Sequence, residues 1–182
     1  MFRLSMSLFT VALICALILA LIYQKTSPVI EQQKQMFLER SLQSVLPADN
    51  YQKHEGEILY YEAKNDQDNL IGWVLPFSGK GYGGNIQLLV GVDIKENITG
   101  VQVLEHSETP GLGSKISEIE YKQTEAKFLK QFKGKNIQDI VMVKGQTDKN
   151  IQAITGATIS SKAVVSGVRA GIDGFLKNRQ EK

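Results

Sequence analysis

Cysteine is nearly absent from this sequence: Cys15 is the single thiol among 182 residues. One thiol makes neither an internal disulfide nor a cysteine-cluster metal site, so cysteine usage does not choose a side of a membrane. Histidine is scarce too, and two residues are too few for a typical histidine-rich metal centre. Charge of either sign is not in excess, with 21 Lys and Arg against 19 Asp and Glu and a formal net charge of +2. The clustered basic face that nucleic-acid binding needs is missing, which excludes nucleic acid as a partner. There is no internal repeat, no low-complexity linker, and no Ser-His-Asp arrangement with a persuasive spacing. The remaining composition, 42% hydrophobic and 22% charged, is that of a folded chain. Its length suits one domain plus a small appendage.

What is present begins with a long apolar run. Leu8 to Tyr23 reads LFTVALICALILALIY, sixteen residues with only Thr10 polar, and starting from Leu4 gives twenty residues without a charge. At 1.5 Å per residue that spans a hydrocarbon core of about 30 Å. The run ends in Leu21-Ile22-Tyr23 without a small-x-small cleavage site, and Ile14 stands before Cys15 where a lipobox needs a small residue. These features predict a retained single-span anchor over residues 1–26. Arg3 precedes the span while Lys25, Lys34 and Arg40 follow it, so charge alone does not orient it.

Residues 27–56 read as a connecting helix and stalk. Ser27-Pro28 has the form of an N-cap followed by proline at the first helical position, and apolar residues recur at near-helical spacing until Pro47. From residue 57 the pattern turns to strands, expected at Glu57–Ala63, Leu70–Phe77, Ile86–Ile94 and Ile98–Leu104, with Asp93–Asn97 as a hairpin turn. Helical signals return after Ser114, with Ser117 to Glu120 as a capping box and Phe128, Leu129 and Phe132 on one face. A further short strand is expected over Gln138–Lys144. Thr158 to Asn178 reads as the longest helix after the anchor, with Ile159, Ala163, Val164, Val168, Ile172, Phe175 and Leu176 as its apolar stripe. The expected class is α+β: one N-terminal transmembrane helix, then a single domain over 57–182 with a mainly antiparallel sheet flanked by helices.

Three segments carry chemistry. Gly79 to Gly84 (GKGYGG) satisfies G-x-G-x-x-G, but an alternating strand pattern follows it rather than a helix, so it reads as a hairpin loop able to line a pocket. In Glu108-Thr109-Pro110-Gly111-Leu112-Gly113, Pro then Gly suits the centre of a type II turn. That turn is either a tight strand-to-helix connection or a side-chain-poor wall for a flat ring. Ile154-Thr155-Gly156-Ala157-Thr158 sets hydroxyls and a glycine at the start of the C-terminal helix, where unpaired N–H groups and the helix dipole favour an anion. A hydroxyl-rich cap without a ligand is the other reading. His106 at a strand end and Trp73 within a strand read as structural.

The stretch GYGGNIQLLVGVDIKENITGVQVLEHSETPGLGSKI (Gly81 to Ile116), followed by ITGATISSKAVVSGV (Ile154 to Val168), closely resembles the FMN-binding domain of the G subunits of Rnf complexes. Those membrane complexes exchange electrons between ferredoxin and NAD and couple this to ion translocation. The C subunit of the sodium-pumping NADH:quinone oxidoreductase shares both signatures, but is generally longer between anchor and glycine-rich strands. The resemblance implies an electron-carrying flavoprotein without substrate turnover of its own, anchored in the cytoplasmic membrane with its domain on the outer face. It implies FMN held by a phosphoester to Thr158, with Thr155, Gly156 and Ala157 completing the T-G-A-T motif. Its partners would be the other membrane subunits and a flavin transferase that attaches the group. Glu108, Thr109, Gly111, Leu112 and Gly113 would lie near the flavin, and Lys162 near its phosphate. One departure stands out: the family usually has an acidic residue where this chain has Gln152, which bears on how fast the group is attached. The class that competes with this reading is an anchored, non-redox module for an anionic ligand.

Overall fold

In the computed structural model the described residues are 2–145 and 149–180. The chain divides into two units, Met1–Glu39 and Arg40–Lys182. The first unit is one helix, α1 (Phe2–Val45), whose last residues belong to the second. The helix runs through Pro28, so Ser27-Pro28 does not start a new helix as the sequence predicts. An interior proline forfeits one backbone bond and costs about 3 kcal/mol, while every following residue regains a bond as the helix propagates. Leu8, Leu19 and Tyr23 are among the large apolar residues of the run that stay exposed, and the helix is long and apolar enough to cross a membrane.

The second unit is organised by a five-stranded antiparallel sheet in sequential order: β1 (Asn50–His54), β2 (Tyr60–Lys64), β3 (Leu70–Lys80), β4 (Asn85–Asp93) and β5 (Ile98–Glu105). Four of these follow the expected strands to within a few residues. β1 was not expected, because Asn-Tyr-Gln-Lys-His has no apolar alternation. It forms by pairing with β2, from Asn50 opposite Lys64 to His54 opposite Tyr60. The turn from β4 to β5 is built by Asp93, whose Oδ1 accepts the N–H groups of Lys95 and Asn97, both at 2.8 Å.

Both faces of the central strands are covered. Ile86, Leu88, Val90 and Val92 share a core with Trp73, Leu75 and the buried side of α3 (Thr158–Gln180), from Ala163 to Phe175. Leu89 and Gly91 face the other way. There Leu42, Val45 and Leu46 bury against the sheet, and Thr99 Oγ1 donates to the Val45 carbonyl at 2.5 Å. Gly91 and Gly100 are register partners, and a Cβ on either would overlap Val45. α3 lies as close on its side. A Cβ at Gly79 would overlap the Ala163 carbonyl, and one at Gly167 would stand 3.4 Å from the Gly79 backbone. Ile159 leaves the expected stripe and is 54% exposed.

The connection between β5 and α3 is irregular. Residues 117–126 form no helix, and the Ser117 hydroxyl is engaged backwards, with the Ser114 carbonyl (3.1 Å) and His106 Nε2 (2.9 Å), so the capping box does not form. One turn, α2 (Lys127–Lys130), buries Phe128 and Leu129. The strand expected over 138–144 shrinks to β6 (Met142–Val143), parallel to β7 (Ile151–Gln152). Before it, Asn136 caps a 3-10 turn through the Gln138 N–H, and such local side-chain bonds compete with strand pairing.

Because the carbonyl opposite Gly79 is backbone and has nowhere to move, Gly79→Ala is expected to lower stability by about 1–3 kcal/mol. Urea unfolding of the detergent-solubilised chain, followed by circular dichroism, measures this.

Candidate functional site

Two turns meet at the start of α3. In the first, the Leu112 N–H bonds the Thr109 carbonyl (3.2 Å) and Gly111 takes φ +75°, the type II turn that Pro-Gly dictates. Gly113–Ile116 follow as a 3-10 turn, and Ser114 Oγ accepts the Gly111 N–H at 2.9 Å. His106 steadies the base of this loop. Its Nδ1 accepts the Glu108 N–H (3.2 Å), which leaves Nε2 to carry the ring proton towards Ser117 Oγ.

The second turn is Ile154-Thr155-Gly156-Ala157. The Ala157 N–H bonds the Ile154 carbonyl (3.0 Å), and Gly156 at φ +81° supplies the left-handed position. Ser161 locks the turn from inside the helix: its hydroxyl accepts the Ile154 N–H (3.0 Å) and donates to the Ala157 carbonyl (2.9 Å). The first helical bond of α3 runs from the Ser161 N–H to the Ala157 carbonyl (2.9 Å). The N–H groups of Thr158, Ile159 and Ser160 therefore precede the ladder, at the positive end of the helix dipole. The first turn of α3 holds no acidic residue.

Glu108 ties the pieces together. It is 6% exposed, and its carboxylate accepts the Gly83 N–H (2.9 Å) through Oε1 and the Ser160 hydroxyl through Oε2. These bonds join the β3–β4 loop, the 106–114 loop and the first turn of α3. Gly113 is required by this join, since a Cβ there would lie 2.7 Å from Ser160 Oγ and overlap Glu108. Its bareness makes room for the Glu108–Ser160 pair.

A cavity of about 500 Å³ opens where the three segments meet. Of the residues singled out from sequence, it is lined by Glu108, Thr109, Leu112, Gly113, Gly156, Ala157 and Thr158. Gly111, Thr155 and Lys162 are not in its lining. Gly111 is exposed within the turn, and Lys162 is exposed one helical turn after Thr158. Thr155 faces a neighbouring cavity of about 430 Å³, together with Lys115, Lys127 and Gln152. Tyr82, Ile159 and Ser160 also line the first cavity, and sequence reasoning misses them. The glycine-rich loop is the signal for Tyr82; Ile159 is hidden because its spacing puts it in the core stripe. Trp73 is core, 4% exposed, with the Arg179 guanidinium 4.1 Å from its ring centroid.

Comparison with known proteins bears on this geometry. The model of the FMN-binding domain matches residues 81–173, and the model of the RnfG N-terminal region matches residues 1–45. The chain is 37% identical over 175 residues to the G subunit of the proton-translocating ferredoxin:NAD(+) oxidoreductase complex of Clostridium ljungdahlii, covering 94% of this chain and 90% of that one. It is 34% identical over 197 residues to the G subunit of the Na(+)-translocating ferredoxin:NAD(+) oxidoreductase complex of Acetobacterium woodii, covering 94% and 89%. The crystal structure of Shewanella oneidensis NqrC shares the fold, with a TM-score of 0.52 and 22% identity over 78% of this chain and 74% of that one.

Ser160→Ala leaves the buried Glu108 carboxylate short of a donor, at an expected cost of about 1–3 kcal/mol. Ser166→Ala, on the exposed side of the same helix, is expected to cost far less. Thermal melts of the two variants side by side measure the difference.

Proposed function

This chain belongs to the FMN-binding domain family and carries the N-terminal region of the Rnf G subunits, and from that premise we propose that it holds FMN covalently on Thr158. The observation that carries the reading is Thr158 itself. It is an exposed hydroxyl residue that opens α3, and it lines a cavity whose other walls are the two glycine-bearing turns.

The residues fit the group. The cavity volume falls within the range of about 300–1,000 Å³ usual for small-molecule sites. Leu112 and Ile159, each half exposed, give it apolar walls for a flat ring. The free N–H groups of Thr158, Ile159 and Ser160 suit a phosphoryl group at the same place. Glu108 lines the cavity with its two oxygens turned to Gly83 and Ser160, so it braces the site. When bound, FMN would supply one- and two-electron chemistry, and the protein would bind, orient and tune it.

The chain is an electron-carrying subunit of a membrane complex and is anchored through α1. Ferredoxin and NAD as the complex's substrates and ion translocation as its work come to it through its relatives, while the outer face as the domain's location rests on the family resemblance alone. Attachment of the flavin by a flavin transferase is part of this proposal and rests on the family resemblance carried by Thr155-Gly156-Ala157-Thr158. The match of residues 1–45 to the RnfG N-terminal region favours the G subunit over the C subunit of the sodium-pumping quinone reductase.

In membranes co-expressing the chain with a flavin transferase, a denaturing gel under ultraviolet light is expected to show a fluorescent band at about 20 kDa. Thr158→Ala is expected to abolish that band at equal protein level. A band that survives the substitution refutes the attachment site.

A further inference from the structure

Tyr82 stands at the tip of the β3–β4 loop, 73% exposed, yet it lines the cavity beside Thr158. Its backbone is fixed while its side chain is not buried. The Gly81 N–H bonds the Gly84 carbonyl (2.8 Å), and the Gly83 N–H bonds Glu108 Oε1 (2.9 Å). Gly83 also lies so close to the next loop that a Cβ would overlap the Ser107 carbonyl. The loop is therefore clamped from both sides and presents one large aromatic ring. Leu112 and Ile159, 50% and 54% exposed, line the same cavity. Three apolar side chains left open around one cavity on fixed backbones indicate an occupant that is itself flat and apolar. Aromatic rings gain beyond their buried area when they stack offset on another π-system.

We propose that Tyr82 covers one face of the flavin ring system, and that Glu108 is the positioning residue that holds the Tyr82 loop over the cavity. The proposal rests on FMN being the occupant of this site. Leu112 and Ile159 then form the opposing wall, and the ring system sits between a phenol and two aliphatic side chains.

The test uses the full chain, purified from membranes that also contain the flavin transferase, as wild type, Tyr82→Leu, Tyr82→Phe and, as control, Tyr121→Leu. Tyr121 is 90% exposed and lies outside the cavity lining. Flavin content is read from the denaturing gel, and flavin fluorescence is compared before and after denaturation. A stacked phenol gives an electron to the excited flavin and takes it back, which quenches emission; leucine does not, and phenylalanine is far harder to oxidise. Wild-type emission is expected to rise several-fold on denaturation, and native emission to rise several-fold in Tyr82→Leu and Tyr82→Phe. Iodide is expected to reach the flavin readily in Tyr82→Leu but not in Tyr82→Phe, which keeps the cover. Tyr121→Leu is expected to match wild type. Normal flavin content with emission unchanged by Tyr82→Leu overturns the role of Tyr82 and leaves the FMN reading standing. Wild-type protein without flavin overturns both.

Discussion

The close seating of α3 on β3 and β4 is the constraint on which the rest depends. The helix buries Ala163, Val164, Val168, Ile172 and Phe175 in the same core as Leu75, Leu88 and Val90. Burying each large apolar side chain is worth about 1.5–3 kcal/mol. The seating is close because Gly79 leaves room for the Ala163 carbonyl, and Gly167 faces the same point from the helix. Once α3 is fixed in this way, its first residue has one possible location. Thr158 stands at the rim of the sheet, where the β3–β4 loop and the loop after β5 also end.

The loops are then held by polar contacts. Glu108 is buried, and a buried carboxylate is tolerated only with donors turned towards it. It finds one on each neighbouring segment, the Gly83 N–H and the Ser160 hydroxyl. The site is thus rigid at its base and open at its mouth. Tyr82, Leu112 and Ile159 are left apolar and exposed while the backbones that carry them are pinned. That combination suits the binding of a large flat group more than the catalysis of a bond-making step.

The other face of the sheet serves the link to the anchor. Gly91 and Gly100 admit the last turn of α1, and Thr99 occupies the Val45 carbonyl that the end of the helix leaves free. The sheet is therefore covered on both faces by helices from opposite ends of the chain. This explains why β4 reads as a nearly continuous apolar run with little alternation.

Much of this was legible from residues alone. A twenty-residue run without charge specifies a membrane span by length and hydropathy. Pro110-Gly111 and Gly156 specify their turns through φ, and the stripe of α3 specifies its buried face through period. All are local properties, set within a few residues by sterics and spacing. Local signals also misled where two structures satisfy them equally. Ser27-Pro28 suits a helix start but is tolerated inside a long helix, and Ser117 to Glu120 lost its cap to His106 and Ser114. β1 carries no pattern and exists only because β2 offers it an edge. Contacts distant in sequence were decided by tertiary structure. Glu108 meets Ser160 across 52 positions, Tyr82 comes to the cavity of Thr158, and Thr155 and Lys162 fall outside that cavity although they lie within four residues of Thr158. A sequence fixes which way each residue turns relative to its neighbours; the packing of helix on sheet fixes which turns end up facing each other.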